Sequence, residues 1–217
     1  MKGLLIKDMR LVLTRKQQIL ILLAVCAMIA FTSDGSFVIG YSAGLLGMLG
    51  LSTLAFDERD NGFPFLFSLP VDIRTYVNEK YLFCTLLDVA GMAFGTVLFF
   101  LACLTKGNME MFREDIVYAL LYLPATLLLI LSILPIQLIY GIERSRIITF
   151  VLYGILFVLS AVLVKIVGPV DRLKESGNIP QWMCNPFVIS GGIFAFAAAV
   201  CLILYLAALK SMRNREF

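Results

Sequence analysis

The residues best placed to do chemistry in this 217-residue chain lie in one stretch, 57–80. It opens on Asp57, Glu58, Arg59 and Asp60 and continues through Phe63, Phe65, Phe67 and Leu69. The alternating apolar residues are too hydrophobic for a free loop and too few for a membrane crossing. Two readings stand: a small segment lying in the headgroup interface, or a knob that docks into a groove on a partner. Pro70 follows, and Asp72 is positioned to cap a helix that continues toward residue 81. The second candidate is Asp88, the one acidic residue deep inside an apolar segment. Burying a carboxylate there is costly, so it is either a functional or pairing residue, with Thr85 or a loop cation as partner, or an aspartate reached by water from one leaflet.

What is missing restricts the chemistry further. The chain has no histidine, which removes His-based zinc sites, Ser-His-Asp triads and HExxH metalloproteases. It also lacks G-x-x-x-x-G-K-[ST], so it does not cradle nucleotide phosphates in the P-loop manner. Cys26, Cys84, Cys103, Cys184 and Cys201 show no paired metal spacing and read as small apolar residues.

The elements that must position these groups are membrane helices. The chain is 60% hydrophobic, and its mean hydropathy is +0.93. Roughly 20 apolar residues are needed per crossing, and segments 17–32, 36–56, 81–104, 116–140, 147–167 and 187–209 supply six. The fold class is therefore all-α and polytopic, a single domain over 1–217, since spanning strands would alternate apolar and polar residues. A cleaved leader is not expected: Val25 stands before Cys26 where a lipoprotein site would want a small residue.

Of the 18 Lys and Arg residues, 13 fall at the N-terminus, between spans two and three, between spans four and five, and in the tail. The five on the other side are Lys106, Arg113, Lys165, Arg172 and Lys174. Cytoplasmic connections retain positive charge, so both termini and 57–80 are expected in the cytoplasm, and 168–186, with the sole tryptophan Trp182, outside. The net charge of +3 is thus a topology signal and gives no support to nucleic acid as a partner. Residues 1–15 place Leu4, Leu5, Met9, Val12 and Leu13 on one side of a helix and Lys2, Lys7, Asp8, Arg10, Thr14 and Arg15 on the other. That pattern predicts an interfacial amphipathic helix.

Gly40, Gly44 and Gly47 recur at helical spacing in the second span, and Gly91 and Gly95 in the third. Small residues let helix backbones approach closely, within one chain, between two chains or at a surface that slides. Pro124 and Pro135 share a face of the fourth span and predict kinks.

The run Phe56-Asp57-Glu58-Arg59, then Gly62, Phe67-Ser68-Leu69-Pro70-Val71, Arg74, Tyr76-Val77 and Lys80-Tyr81 resembles a stretch of ABC-2 type permeases. The opening Met1-Lys2-Gly3-Leu4-Leu5-Ile6-Lys7-Asp8 is similar to that family's start. Among its members the chain resembles bacterial exporters of phenol-soluble modulins and peptide antibiotics. The resemblance implies a permease in the bacterial plasma membrane that pairs with a second permease subunit and exports amphipathic peptides or other hydrophobic compounds. It implies no cofactor in this chain, because ATP and Mg would be bound by a separate ABC ATPase subunit. An elbow helix at the N-terminus and a cytoplasmic coupling helix between helices 2 and 3 are implied as well. On that carry-over Asp57, Glu58, Arg59, Phe63, Phe65, Phe67 and Leu69 contact the ATPase, and none is catalytic. Two other classes stay open. One is the substrate-binding membrane subunit of an ATPase-dependent vitamin importer, which would not need the acidic-aromatic stretch. The other is a histidine-free membrane enzyme.

Overall fold

A computed structural model describes residues 2–32, 35–58, 72–107, 109–167, 198–200 and 202–210, together with positions 68 and 195. All of the extended segments are helical. In chain order they are α1 (Lys2–Thr14), α2 (Lys16–Thr32), α3 (Phe37–Glu58), α4 (Ile73–Lys106), α5 (Met109–Tyr140) and α6 (Ile142–Val167). A shorter apolar helix, α7, covers Ala198–Lys210. In a bilayer this is what the backbone demands, because only a helix satisfies every N–H and C=O within its own segment.

Among the described residues, α3, α4 and the Tyr122–Tyr140 part of α5 are long and apolar enough to cross a membrane. Helices α1 and α2 pass the same test only as a pair, bent by 73° at their junction, and would make a fourth crossing. The helices overrun the expected spans, most of all in α4. There the helix starts at Ile73, eight residues before the apolar run begins at Tyr81. Asp72 occupies the N-cap position with an extended backbone, but its side chain makes no capping hydrogen bond, contrary to expectation. The segment 168–186, expected on the outer side, lies outside the described residues.

Helix α4 ends at Gly107, whose φ of 69° is left-handed and whose N–H meets the carbonyls of Cys103 and Leu104. Helix α5 runs through Pro124 and Pro135 without interruption. One turn from Pro135, the Tyr153 hydroxyl of α6 lies 2.7 Å from Ser132 Oγ and donates to the Leu129 carbonyl at 3.1 Å. These bonds tie α5 to α6 beside the apolar packing of Tyr153 and Leu131.

The centre of the molecule is the antiparallel pair α3 and α4, with α5 packed across both. Two apolar clusters form at opposite ends of that pair. One gathers Leu51, Leu54, Tyr76, Val77, Cys84, Ile130 and Leu134. The other joins Val38, Ile39, Leu98 and Phe99 to Cys26 and Ala30 of α2.

Glycines set how close the pair can come. A Cβ at Gly91 would sit 2.6 Å from the Ser42 carbonyl oxygen and 2.8 Å from Ala43 Cα, both on α3, and Gly95 meets the Ser42 side chain and Ile39 Cα. Gly40 and Gly47 face Tyr122 and Ile130 of α5. Gly44 points into open space, with nothing within 4 Å among the described residues, on the side of α3 where Phe37 and Met48 are exposed. The Ser42 hydroxyl donates to the Gly91 carbonyl at 2.9 Å, which the close approach makes possible.

Gly91→Ala should therefore destabilise the protein by about 1–3 kcal/mol, since the obstructing atoms are backbone and cannot swing aside. Gly44→Ala should be neutral or slightly stabilising, because alanine has the higher helix propensity. Thermal unfolding of the two variants in detergent would separate them.

Candidate functional site

Three consecutive residues at the end of α3 each hold a different part of the molecule. Phe56 lies under the guanidinium of Arg15, 4.0 Å from its ring centroid, at the bend between α1 and α2. Asp57 receives Lys7 from α1 and both Tyr76 and Lys80 from α4. Glu58 accepts the backbone N–H of Ile142 at 2.8 Å, at the start of α6. The connection 59–71 leaves α3 immediately after these three and rejoins the described helices at Asp72.

The core of the arrangement is the Lys80 ammonium, only 1% exposed. An ammonium carries three donors, and here each finds an acceptor: Asp57 Oδ2 at 2.7 Å, Thr53 Oγ1 at 3.1 Å, and Asp8 Oδ2. Asp8 is fully buried, and Thr53 Oγ1 lies 3.1 Å from the same Asp8 oxygen. Asp57, 7% exposed, uses both carboxylate oxygens. Oδ1 takes Lys7 Nζ at 2.5 Å, and Oδ2 takes the Tyr76 hydroxyl at 3.0 Å beside Lys80. Lys7 Nζ is also 3.3 Å from Asp8 Oδ1, with its side chain 34% exposed.

Two carboxylates and two ammonium groups thus balance, drawn from three helices through contacts that span 19 to 72 residues of sequence. Glu79 stands next to them, 1% exposed, with no hydrogen-bond partner on either oxygen among the described residues.

Such a cluster is an orienting device. Removing two ion pairs from water costs several kcal/mol per ion, which attraction repays only when donors and acceptors are saturated. Small displacements of α1, α3 or α4 would break that saturation. The three helices are consequently held in one relative position.

The Glu58 contact follows a different rule. The first N–H groups of α6 lack intrahelical acceptors and carry the positive end of the helix dipole, so a carboxylate there is favourable. Gly141 makes the approach possible. Its φ is 78°, and a Cβ on it would lie 2.5 Å from Glu58 Oε1. Ala55, Glu58, Ile142, Glu143 and Arg146 line a cavity of about 370 Å³ beside this contact.

The expected site residues divide accordingly. Asp57 and Glu58 have side chains engaged within the chain, while Arg59, Phe63, Phe65, Phe67 and Leu69 lie outside the described residues. Asp88 is fully buried where α3, α4 and α5 meet. Its Oδ2 accepts from Thr126 at 3.1 Å, and Oδ1 faces Gly47 with no hydrogen-bond partner among the described residues. Thr85, the partner expected from sequence, instead bonds the Tyr81 carbonyl at 2.8 Å.

Lys7, Asp8, Thr53, Tyr76 and Lys80 are not among the site residues expected from the sequence. A signal was present: Lys7 and Asp8 stand in the opening octapeptide, and Tyr76 and Lys80 in the stretch after the connection, that carried the family resemblance. The amphipathic pattern of α1 also comes out turned. Asp8, placed on the solvent side by pattern, is its one buried residue, whereas Ile6, Met9 and Leu13 are exposed. A buried ammonium on α4 demands a counter-charge more strongly than leucine demands cover.

Lys80→Met should cost about 3–5 kcal/mol, because it strands Asp8 and Asp57 in a dry site. Adding Asp8→Asn to it should cost less than the two single changes summed, the coupling expected of direct partners, and thermal unfolding in detergent measures both. Gly141→Ala should lose about 1–3 kcal/mol from its left-handed backbone alone. It should also expel Glu58 from the α6 terminus, seen as faster amide exchange at 142–145.

A family model described as ABC-2 family transporter protein matches residues 3–214, nearly the whole chain. Comparison with curated proteins and with solved structures returned no match. The match includes α1 and both ends of the 59–71 connection, the parts that the ion cluster joins, and the chain belongs to the ABC-2 transporter family.

Proposed function

We propose that this chain is the permease subunit of an ATP-driven exporter, forming the translocation path with a second permease subunit and coupling to a separate ABC ATPase. Family membership already makes it a membrane subunit that is not itself an ATPase. In this reading α2 to α7 provide six crossings, α1 is an elbow helix on the inner leaflet, and both termini face the bacterial cytoplasm. The 57–80 segment carries the coupling helix and 168–186 an outer loop of the single 1–217 domain. Cargo is amphipathic peptides or other hydrophobic compounds.

The observation that supports this reading best is the frame around the 59–71 connection. Phe56, Asp57 and Glu58 on one side and Tyr76 and Lys80 on the other bind its two ends to α1, to each other and to α6. A connection anchored in that way transmits displacement instead of absorbing it. Arg59, Phe63, Phe65, Phe67 and Leu69 make the docking surface, and Asp57 and Glu58 hold that surface to the bundle from beneath. Closure of an ATPase dimer on ATP then shifts the helix ends as a unit and biases the permease between its two openings. Asp88, with one carboxylate oxygen unpartnered among the described residues at the three-helix junction, is a polar group within the bundle that such a movement would re-expose or re-pair.

Gentle extraction of the tagged chain from its native membrane should bring down a stoichiometric P-loop ATPase, identified by mass spectrometry. The Phe65→Asp/Phe67→Asp double variant should lose it while keeping its own thermal midpoint. Absence of an ATPase from the wild-type preparation would overturn the reading.

A further inference from the structure

Helix α1 has two faces with opposite electrostatics. The inward face carries Lys7 and Asp8 into the ion cluster, where the helix's single acidic residue is fully buried against Lys80. The outward face presents Ile6, Met9 and Leu13, exposed by 55%, 59% and 53%, at the i, i+3, i+7 spacing of one helical stripe. Its exposed charges are Lys2 and Arg10, and Lys16 is exposed just past the bend. With Asp8 withdrawn, that exposed surface is apolar and uniformly basic.

We propose that this face of α1 is a binding surface for anionic phospholipid, and that its occupancy reaches the 59–71 connection through Lys7 and Asp8. The occupant follows from the chemistry. An apolar stripe of one residue per turn sinks into the acyl boundary, and the flanking cations gain from a negative headgroup layer within a Debye length. A zwitterionic surface offers the first term without the second. A protein partner would need acidic groups alternating with a continuous apolar groove, whereas a leaflet supplies both everywhere along the helix.

The relay is geometric. Residues Lys7 and Asp8 lie on the helix whose far side meets the lipid, and they bond directly to Asp57 on α3 and Lys80 on α4. The bend at Arg15 is held against Phe56, so α1 has little freedom to move without carrying the end of α3. That the relay serves transport rests on the proposed function. That lipid charge is bound does not.

The test is amide hydrogen exchange on the full chain in nanodiscs of phosphatidylcholine alone and of equal parts phosphatidylcholine and phosphatidylglycerol. Exchange across 2–14 should be roughly tenfold or more slower with phosphatidylglycerol, and raised salt should remove the difference. The Lys2→Gln/Arg10→Gln/Lys16→Gln variant, altered only at exposed positions, should show no lipid dependence. Equal exchange in both lipids, or a difference that persists in the triple variant, would overturn the binding surface. Amides 73–80 should slow in parallel in the wild type, and Asp8→Asn should abolish that second response while leaving the first. A lipid response confined to α1 in the wild type would overturn the relay. An extraction that yields no ATPase would refute the exporter reading and leave the lipid result standing.

Discussion

The Lys80 ammonium is the group around which the end of the helical bundle is organised. It is out of contact with solvent, and it belongs to a helix that must also present Val77, Cys84 and Gly91 to apolar neighbours. A cation there is tolerated only with its three protons accepted and its charge opposed. Meeting that requirement calls in Asp8 from one end of the chain and Thr53 and Asp57 from the helix alongside. Their satisfaction in turn determines how α1 lies across the molecule. Leu4 of α1 packs against the neighbouring apolar cluster as well, but an apolar contact carries little directionality, and the ion pairs add it.

Glycine governs the opposite tendency. Where Lys80 demands a precise polar fit, Gly91 and Gly95 allow the α3 and α4 backbones to approach until a serine hydroxyl on one reaches a carbonyl on the other. In a membrane the lipid tails are as apolar as the side chains, so close van der Waals packing and such interhelical bonds hold the pair together. The pair is therefore tight along its length and locked at one end.

The end of α3 concentrates three kinds of interaction in Phe56, Asp57 and Glu58: a cation over a ring, a buried ion pair, and a carboxylate at a helix terminus. Each reaches a different element. An acidic dipeptide read in isolation looks like a solvated surface, and the distinction lies in what surrounds it. A carboxylate stays exposed when water is its best partner. These two have better ones, an ammonium without other access to water and a helix N-terminus opened by a left-handed glycine.

Hydropathy, the absence of histidine and of a phosphate-binding loop, and the short motifs around 56–81 were enough by themselves to identify a helical membrane protein of this family without its own ATP chemistry. These are properties of segments, and a segment's apolar length or its missing residue types need no knowledge of neighbours. Glycine spacing marks where backbones can approach, but which neighbour each glycine meets is decided only by the assembled helices. The ion cluster was not legible, because its inter-helix contacts span 19 to 72 residues and each member has an ordinary local reading. The turned face of α1, the engagement of Glu58 with α6 and the pairing of Asp88 with Thr126 belong to the same class. They arise when desolvated charges and unsatisfied helix ends must find partners in three dimensions, a condition that only the assembled helices impose.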